Sequence, residues 1–440
     1  GIKPLYYYFC PKEDFLLITS DYSHLVKHKI VKLEINKDAL MSFVCLGRTL
    51  GKKTIYKNIH DLEPGNMLSY GGNKSIKVQK YWNHFRKSKI NLASKKSRLV
   101  KFEKKFVNIN NLWKISETSI SNTLSSGMDS NLVDYALIKN NIKAKRFSII
   151  EGQEKKINKN NSKIYKKKIN RKIVLKELFN YVVKNKNPFV LANTGSISLF
   201  QLYKKINKEK IKVSFTGEGG DEVFGGYERY KKQLRLIKKD KIKFNDHYLE
   251  LYKKEINLFS KFNSFYKPIS TLQKLKKSIK LVSLKSKNIK NRILEFDQKT
   301  WLPMLLKKHD SIGMHYSIEV RPQILDDEIV KFINNEIPAS EKFNYKENKI
   351  FLKSFFLKFK KKKFKSKKTG TPTLVDNIFN SSNNIFKFKK IILESDIVRK
   401  YFSNLSGLDK NLFNKKNHVF LWRLFVISIM FSNKKNKNEL

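Results

Sequence analysis

The 440-residue sequence predicts an α/β protein whose larger part is a doubly wound parallel sheet. Two short apolar runs of strand type, at 146–150 and 211–215, enclose two segments with apolar residues at helical spacing, at 175–183 and 199–206. Strands that alternate with helices are typical of a parallel sheet with crossover helices. After residue 230 the pattern is almost entirely helical.

A smaller part with a different pattern precedes this sheet. Residues 6–9 and 15–19 have the composition of strands separated by a polar turn, and 63–66 and 70–73 have the composition of turns. Residues 86–112 are basic with irregular apolar spacing, and we interpret them as a linker that leads into a helix. The predicted organisation is a first domain at 1–85, a linker at 86–112 and the α/β domain at 113–435.

Hydrophobic residues make up 40% of the chain, which is enough for buried cores. The cysteine usage described below favours a cytoplasmic protein. The most apolar segment, 419–431, is too short to span a bilayer and contains Arg423, so we predict a buried helix there and no membrane contact. The two cysteines, Cys10 and Cys45, belong to no CxxC or metal-like cluster, which favours a reducing compartment. The chain opens on Gly1 rather than Met, which suggests a fragment.

The net charge of +55 suggests two interpretations, a nucleic-acid-binding surface or compositional bias. Only 11 of the 93 basic residues are arginine, whereas nucleic-acid surfaces favour arginine for bidentate contacts. Lysine, asparagine, isoleucine and phenylalanine are abundant throughout, as expected from an AT-rich genome. We therefore favour bias, expect no specific nucleic-acid partner, and predict weak attraction to polyanions at low salt.

The first candidate ligand loop is the stretch TLSSGMDSNL at 123–132. A strand that enters Ser125-Ser126-Gly127 and leaves as a helix would present backbone N–H groups and serine hydroxyls to phosphate oxygens. Asp129 would repel phosphate directly, but it suits a magnesium ion that neutralises the phosphates. The alternative is a serine-rich N-cap on an ordinary helix.

The second candidate loop is SFTGEGGDEVFGGY at 214–227, which follows a predicted strand. It contains three acids among five glycines. Glycines allow close backbone approach to a ligand, and the clustered acids would repel one another unless a cation, a bound amine or a raised pKa intervened. The alternative is a tight surface loop, which needs fewer glycines.

Together the two loops resemble the synthetase domain of glutamine-dependent asparagine synthetases, in which they usually read SGGLDS and SGEGADELFGGY. The resemblance continues in order through 305–326, 367–372 and 417–424. At the N-terminus, GIKPLYY at 1–7 is similar to the middle of that family's glutaminase domain, and 53–59, 62–65 and 80–82 are similar to its closing strands. The resemblance thus covers nearly the whole chain.

The resemblance implies an ATP-pyrophosphatase-type synthetase domain, preceded by the C-terminal part of an α+β (β-sandwich) N-terminal-nucleophile glutaminase domain. It implies that ATP activates aspartate as β-aspartyl-AMP with release of pyrophosphate, and that ammonia from glutamine then displaces AMP to give asparagine. ATP and Mg²⁺ are the implied cofactors, and a homodimer is compatible with the sequence.

The implied site residues fall into four groups. Pyrophosphate would be held by the first loop, magnesium by two acids, adenosine beside the strand at 147–149, and the acyl-adenylate by the second loop. Lys368, with its neighbour Lys367 as the alternative, would place a cation on the transferring phosphate. Glu218 could accept a proton as ammonia attacks. The residues are Ser125, Ser126, Gly127 and Ser130 for pyrophosphate, Asp129 and Asp221 for magnesium, Leu124 and Ile149 for adenosine, Gly217 and Glu218 for the acyl group, and Glu218, Lys368 and Asp221 as the catalytic set.

The glutaminase half lacks the family's N-terminal nucleophilic cysteine, because the chain begins downstream of it. Cys10 and Cys45 do not occupy that place, and we expect both to be small buried hydrophobes. As given, the chain is expected not to hydrolyse glutamine, although the full-length protein would.

Several positions depart from the family pattern, and they leave the acceptor acid open. Ser126 replaces a glycine, Glu151 adds a charge near the nucleotide, and the runs at 186–188 and 321–326 differ. These changes allow a relative that amidates another carboxylate, such as a surface-polysaccharide sugar acid, or a decayed copy. A non-catalytic polyanion-binding protein is the alternative of another class. Because Asp129, Glu218 and Asp221 are all present, we favour an active enzyme.

Overall fold

The computed structural model describes residues 1–71, 74–83, 85, 93–150, 164–168, 171–191, 195–240, 244–361, 382–405, 412–413 and 415–432. The larger part contains a five-stranded sheet in which each neighbouring pair of strands is parallel. Its spatial order is β10-β9-β6-β7-β8. The strands are β6 (Ile120–Thr123), β7 (Ala144–Ile150), β8 (Ile164–Lys168), β9 (Val213–Phe215) and β10 (Glu319–Arg321).

The first strand of this sheet in the chain, β6, lies in its middle. The chain runs from β6 outward through β7 to β8, and then returns to the other side of β6 to form β9 and β10. The strand order therefore reverses between β6 and β9, and in open α/β sheets ligands bind at the carboxyl edge beside such a point. The prediction of an α/β protein with a parallel sheet is confirmed.

Helices cover the sheet and fill the rest of the larger part. The predicted helices at 175–183 and 199–206 lie inside α5 and α6, and among the described residues after 230 the regular structure is helical apart from β10. The helices are α3 (Lys95–Trp113), α4 (Met128–Lys139), α5 (Arg171–Asn185), α6 (Ser196–Lys208), α7 (Gly220–Phe224), α8 (Glu228–Asp240), α9 (Phe244–Glu250), α10 (Lys253–Phe262), α11 (Pro268–Lys280), α12 (Ile289–His315), α13 (Asp327–Glu336), α14 (Ala339–Lys342), α15 (Ile350–Lys360), α16 (Ser382–Glu394), α17 (Asp396–Tyr401) and α18 (His418–Phe431).

Most of the segment predicted as a linker, 86–112, is instead helix α3. Ser94 caps its N-terminus, where the Ser97 N–H donates to the hydroxyl oxygen at 3.2 Å. Four buried apolar residues recur at helical spacing and pack into one hydrophobic core with α4, α7, α13 and α15: Leu99, Phe102, Phe106 and Ile109. The lysines between them made the apolar spacing look irregular in the sequence.

The N-terminal part contains a three-stranded antiparallel sheet and a separate hairpin. The sheet has the order β2-β1-β3, and the strands predicted at 6–9 and 15–19 are confirmed as β1 and β2. Two helices, α1 and α2, were not predicted within this β-rich region. The elements are β1 (Tyr6–Cys10), β2 (Phe15–Thr19), α1 (Tyr22–Lys27), α2 (Lys37–Leu46), β3 (Ile59–Asp61), β4 (Asn66–Gly71) and β5 (Ser75–Lys80).

Helix α2 joins the N-terminal part to the core of the larger part. Every residue from 39 to 46 is buried, and the helix packs in one hydrophobic cluster with α10 and α18. The buried Arg423 guanidinium of α18 donates to the carbonyl oxygens of Val44 and Cys45 at 2.9 and 2.8 Å. These bonds satisfy the last carbonyls of α2, whose C-cap Gly47 adopts a left-handed φ of 73° beside the same guanidinium.

The two cysteines differ in burial. Cys45 is completely buried within α2, as expected of a small hydrophobe, and burial raises the pKa of its thiol. Cys10 is only partly buried at the end of β1, so the expectation of burial is wrong for this residue. Both are free thiols.

The apolar segment at 419–431 forms α18, and its residues from 420 to 430 are buried as predicted. The Trp422 indole N–H donates to the Leu191 carbonyl at 2.8 Å. Of the helices in the part of the chain that the structure describes, none combines the length and hydropathy needed to cross a membrane.

Lys342 of α14 gives the fold a pH dependence that can be measured. Burial lowers the pKa of its ammonium from 10.5 to about 7, and its Nζ lies 3.4 Å from Asn291 Oδ1. Between about pH 7 and 10 the unfolded chain therefore holds this proton more tightly than the folded chain, so raising the pH through that window stabilises the fold. We expect Lys342→Met to raise the free energy of unfolding at pH 7 by about 2 kcal/mol, with a gain that shrinks toward pH 10.

Chemical denaturation of wild type and variant across this pH range measures the difference. The exposed Lys346→Met is the matched control and should leave stability within about 0.5 kcal/mol at every pH. A gain for Lys342→Met that stayed constant from pH 7 to 10 would show that the ammonium does not titrate in this window.

Candidate active site

The two candidate loops lie side by side at the carboxyl edge of the parallel sheet. The first follows β6 and the second follows β9, and these strands are neighbours, with Asn122 opposite Phe215. The Leu124 N–H donates to the Phe147 carbonyl at 2.8 Å, which fixes the first loop to β7 as it leaves the sheet. The predicted strand–loop–helix arrangement around 123–132 is present, because α4 begins at Met128.

Serine hydroxyls shape the first loop. The Ser125 N–H donates to Ser130 Oγ at 3.0 Å, and the Gly127 N–H donates to Ser125 Oγ at 3.1 Å. The Asn131 amide donates to the carbonyls of Ser125 and Gly127 at 2.9 and 2.8 Å. The N-cap of α4 is Gly127, and no side-chain hydrogen bond caps the helix. The alternative of an ordinary serine-capped helix is therefore wrong, and the helix N-terminus faces the loop opening without a capping side chain.

Glycines let the second loop touch the first. A Cβ on Gly217 would lie 2.5 Å from the Ser130 nitrogen, and one on Gly220 would overlap the Asp129 carboxylate. Gly219 has a φ of 88°, in the left-handed region that favours glycine, and marks the start of α7. The high glycine content of the second loop thus allows the two loops to make close contact.

Asp129 and Asp221 are brought together by this contact, and a lysine lies between them. Both carboxylates are buried, and Lys349 is only 3% exposed. The Lys349 Nζ lies 2.5 Å from Asp129 Oδ1 and 2.5 Å from Asp221 Oδ1. The ammonium therefore neutralises part of the negative charge that the two loops concentrate.

Lys349 was not predicted as a site residue. It is the N-cap of α15 and has a left-handed φ of 51°, and its N–H donates to the Gly225 carbonyl at 3.4 Å. The only sequence feature that pointed to such a residue was the cluster of acids in the second loop. This cluster suggested a nearby cation but did not identify it. Because lysine is abundant everywhere, that requirement did not single out position 349.

The donor set fits the predicted magnesium ion in one respect. Two carboxylates converge on one cation position, and Mg²⁺ is commonly held by one or two carboxylates together with phosphate oxygens and water. Among the described residues there is no cluster of three or more histidine, cysteine, aspartate or glutamate side chains suited to a metal. Any magnesium here would therefore take its remaining ligands from water or a bound nucleotide, and it would compete with Lys349 for the same carboxylate oxygens.

The other acids of the second loop have distinct environments. Glu222 is buried and accepts a hydrogen bond from the Tyr227 hydroxyl at 2.5 Å. Burial, and then the neighbouring Asp221, raise its pKa to about 8, so this carboxyl is largely protonated at neutral pH. Glu218 is partly exposed and lies 2.8 Å from the Nε2 atom of the buried His309.

The remaining predicted residues are placed as follows. Leu124 is buried beside β7, while Ser125 and Ser126 are exposed, so the serine that replaces the family's second glycine has room on the surface. Ile149 lies in β7, the strand next to β6. Lys367, Lys368 and Glu151 lie outside the described residues.

The fold and the loops together define an α/β protein with a candidate ligand site at the carboxyl edge of its parallel sheet. Residues 114–380 match the family model described as asparagine synthase, and residues 1–82 match the one described as glutamine amidotransferase domain. The first match covers more than half of the chain, and the chain belongs to the glutamine-dependent asparagine synthetase family.

Two curated relatives are similar to the chain over part of their length. The protein named asparagine synthetase (glutamine-hydrolyzing) 1 of Bacillus subtilis is 25% identical over 253 residues, which cover 54% of this chain and 38% of the relative. A protein of Methanocaldococcus jannaschii, provisionally named asparagine synthetase (glutamine-hydrolyzing) 2, is 27% identical over 236 residues, which cover 52% of this chain and 45% of the relative. The matched segments thus span less than half of either relative.

Replacing Lys349 tests whether its ammonium is needed to hold the loops together. We expect Lys349→Met to destabilise the fold by about 3–5 kcal/mol at pH 7, because two buried carboxylates lose their shared counter-ion. Urea denaturation measures the loss. Lys353→Met on the same helix is the control, since that residue makes only a partly exposed pair with Glu347 at 3.6 Å. Equal stabilities of the two variants would contradict the proposed role of Lys349.

Gly220 tests the close approach of the two loops. We expect Gly220→Ala to lower stability by about 2 kcal/mol, because the added methyl group overlaps the Asp129 carboxylate and the loops must separate. Thermal unfolding measures the change. The control is Gly71→Ala, since an added Cβ at Gly71 meets no atom within 4 Å. If both variants unfolded at the wild-type temperature, the loop contact would not constrain position 220.

Proposed function

We propose that the chain carries the ligase site of an ATP-dependent amide synthetase and that its acceptor acid is aspartate. In this reaction the aspartate side chain attacks the α-phosphate of ATP to form β-aspartyl-AMP and pyrophosphate, and ammonia then displaces AMP to form asparagine. The observation that carries the proposal is the convergence of a serine–glycine loop and an acidic glycine loop where the strand order reverses. Family membership and the names of the curated relatives support the same reaction.

The first loop is suited to hold the pyrophosphate that leaves. The Ser125 and Ser130 hydroxyls lie 3.0 Å apart at the N-terminus of α4, where backbone N–H groups and the helix dipole favour negative charge. We assign Ser126 and Gly127 to the same cradle. Leu124, which directly follows β6, and Ile149 of the neighbouring strand β7 are assigned to the adenosine.

Positive charge at the transferring phosphate would come from several sources. Asp129 and Asp221 would hold Mg²⁺, which when bound neutralises phosphate charge. Lys349 already lies between these carboxylates, so its ammonium either shares them with the ion or turns toward the phosphates. We retain Lys368 as a proposed catalytic cation.

The second loop would handle the acyl group and the proton. Gly217 and Glu218 are proposed to contact the acyl-adenylate. The partly exposed Glu218 carboxylate would accept a proton as the ammonia nitrogen attacks the acyl carbon and the bond to AMP breaks. The protonated Glu222 beside it limits the negative charge in the loop.

The match of residues 1–82 to a glutamine amidotransferase domain supports glutamine as the ammonia source in proteins of this kind. Neither cysteine is suited to be the nucleophile. Cys45 is completely buried within α2, and burial raises the pKa of its thiol. Cys10 lies at the end of β1, a strand that pairs with β2 and β3. Ammonium salts should therefore support the reaction of this chain where glutamine does not.

The deciding experiment measures pyrophosphate release from ATP by the purified chain with Mg²⁺ and ammonium, with and without aspartate. We expect release to depend on aspartate and to fall at least about 100-fold in Asp129→Asn, which keeps the side-chain shape but removes the charge. The exposed Asp396→Ala on α17 should retain wild-type release.

Other outcomes would change the conclusion in defined ways. Pyrophosphate release that is unchanged by aspartate but increases with a sugar acid would show that the sugar acid is the acceptor. The proposed reaction type would then stand. If no acid supported pyrophosphate release and the chain bound a nucleic-acid duplex tightly at physiological salt, the proposed ligase function would be wrong. The protein would then be a polyanion-binding protein.

A further inference from the structure

A chain of three side chains runs from the interior of the larger part to the second loop. Tyr203 of α6 is completely buried, and its hydroxyl lies 2.7 Å from Nδ1 of His309 on α12. His309 is 5% exposed, and its Nε2 atom lies 2.8 Å from Glu218 Oε1. Of the three, only Glu218 reaches the partly exposed surface of the site.

The hydrogen-bonding capacity of these groups fixes where the protons lie. An ionised Glu218 carboxylate can only accept, so His309 must donate through Nε2–H. In the neutral imidazole Nδ1 is then an acceptor, and the Tyr203 hydroxyl donates to it. Burial lowers the pKa of His309 and raises that of Tyr203, which favours the neutral form of both.

The space around this pair is small and partly polar. A cavity of about 10 Å³ is lined by Glu218, His309 and Asp310, and by Ile2 from the N-terminal part. A space of this size holds about one water-sized molecule. Lys308, the neighbour of His309 in sequence, is buried, and burial lowers the pKa of its ammonium, while Glu218 and then Glu222 act in the opposite direction.

We propose that His309, oriented by Tyr203, is a positioning residue that holds the Glu218 carboxylate ionised and aimed at the attacking amine. This inference rests on the proposed ligase function and assigns it two further residues. As the ammonia nitrogen bonds to the acyl carbon, one of its protons passes to a carboxylate oxygen of Glu218, and the bond from the acyl carbon to AMP oxygen breaks. His309 keeps its own proton throughout and acts only by fixing the carboxylate.

This role affects the second half of the reaction and leaves the first half unaffected. Formation of the acyl-adenylate involves no proton transfer to Glu218, so exchange of pyrophosphate into ATP in the presence of the acid should not need His309. Amide formation from ammonium should need it. A residue that merely supported the fold would affect both halves together.

The test compares the two half-reactions in His309→Ala, His309→Gln and Tyr203→Phe, in the full 440-residue chain, with aspartate or whichever acid supports pyrophosphate release. We expect His309→Ala to slow amide formation about 50-fold while pyrophosphate exchange stays within about threefold of wild type. Glutamine can place an amide N–H near the position of Nε2, so His309→Gln should recover most of the loss. Tyr203→Phe should slow amide formation about fivefold, because the imidazole is then less well oriented.

The exposed His315→Gln on the same helix is the control, and both of its half-reactions should match wild type. Equal losses in both half-reactions of His309→Ala, no recovery in His309→Gln, or unchanged amide formation in His309→Ala would each overturn the inference. A wild-type chain that exchanges no pyrophosphate with any acid would instead remove the proposed function, and the inference with it.

Discussion

The close packing of the serine–glycine loop against the acidic glycine loop is the constraint on which the rest of the candidate site depends. Parallel pairing of β6 and β9 forces the loops to leave the sheet at the same edge, and glycines at 217 and 220 let the backbone of one touch Asp129 of the other. Two carboxylates are thereby buried in one small volume, which is unfavourable without positive charge. The start of α15 supplies that charge by holding Lys349 in an unusual backbone conformation against Gly225.

Helix α12 connects this site to the N-terminal part. In its 27 residues it presents Gln298 to the carbonyl of Glu222, at 3.0 Å, and His309 to Glu218. On the side facing the N-terminal part, Lys307 pairs with Asp61, and Asp310 pairs with Lys3. A single helix therefore contacts both the second loop and the N-terminal part.

The sequence predicted the parallel sheet and both loops, because each depends on short-range signals such as strand composition and glycine density. That Asp129 and Asp221 act together was implied by the family resemblance alone. It could not predict Lys349, which lies more than a hundred residues from either loop in a chain where lysine is abundant. His309 lies inside the stretch 305–326, which resembles the family, yet its proposed role depends on Tyr203 from a different helix. Helix α3 was missed because its four buried apolar residues are separated by lysines that face away from the core.

The core shared by α2 and α18 has a consequence for how the protein can be divided. A recombination point or an expression boundary placed near residue 86 would look natural from the sequence, because a motif-poor basic stretch begins there. Such a cut would leave the apolar side of α18 uncovered and the Arg423 guanidinium without its two carbonyl partners. The glutaminase-like part is in this respect a structural subunit of the larger part, and exchange between homologues would have to carry α2 and α18 together.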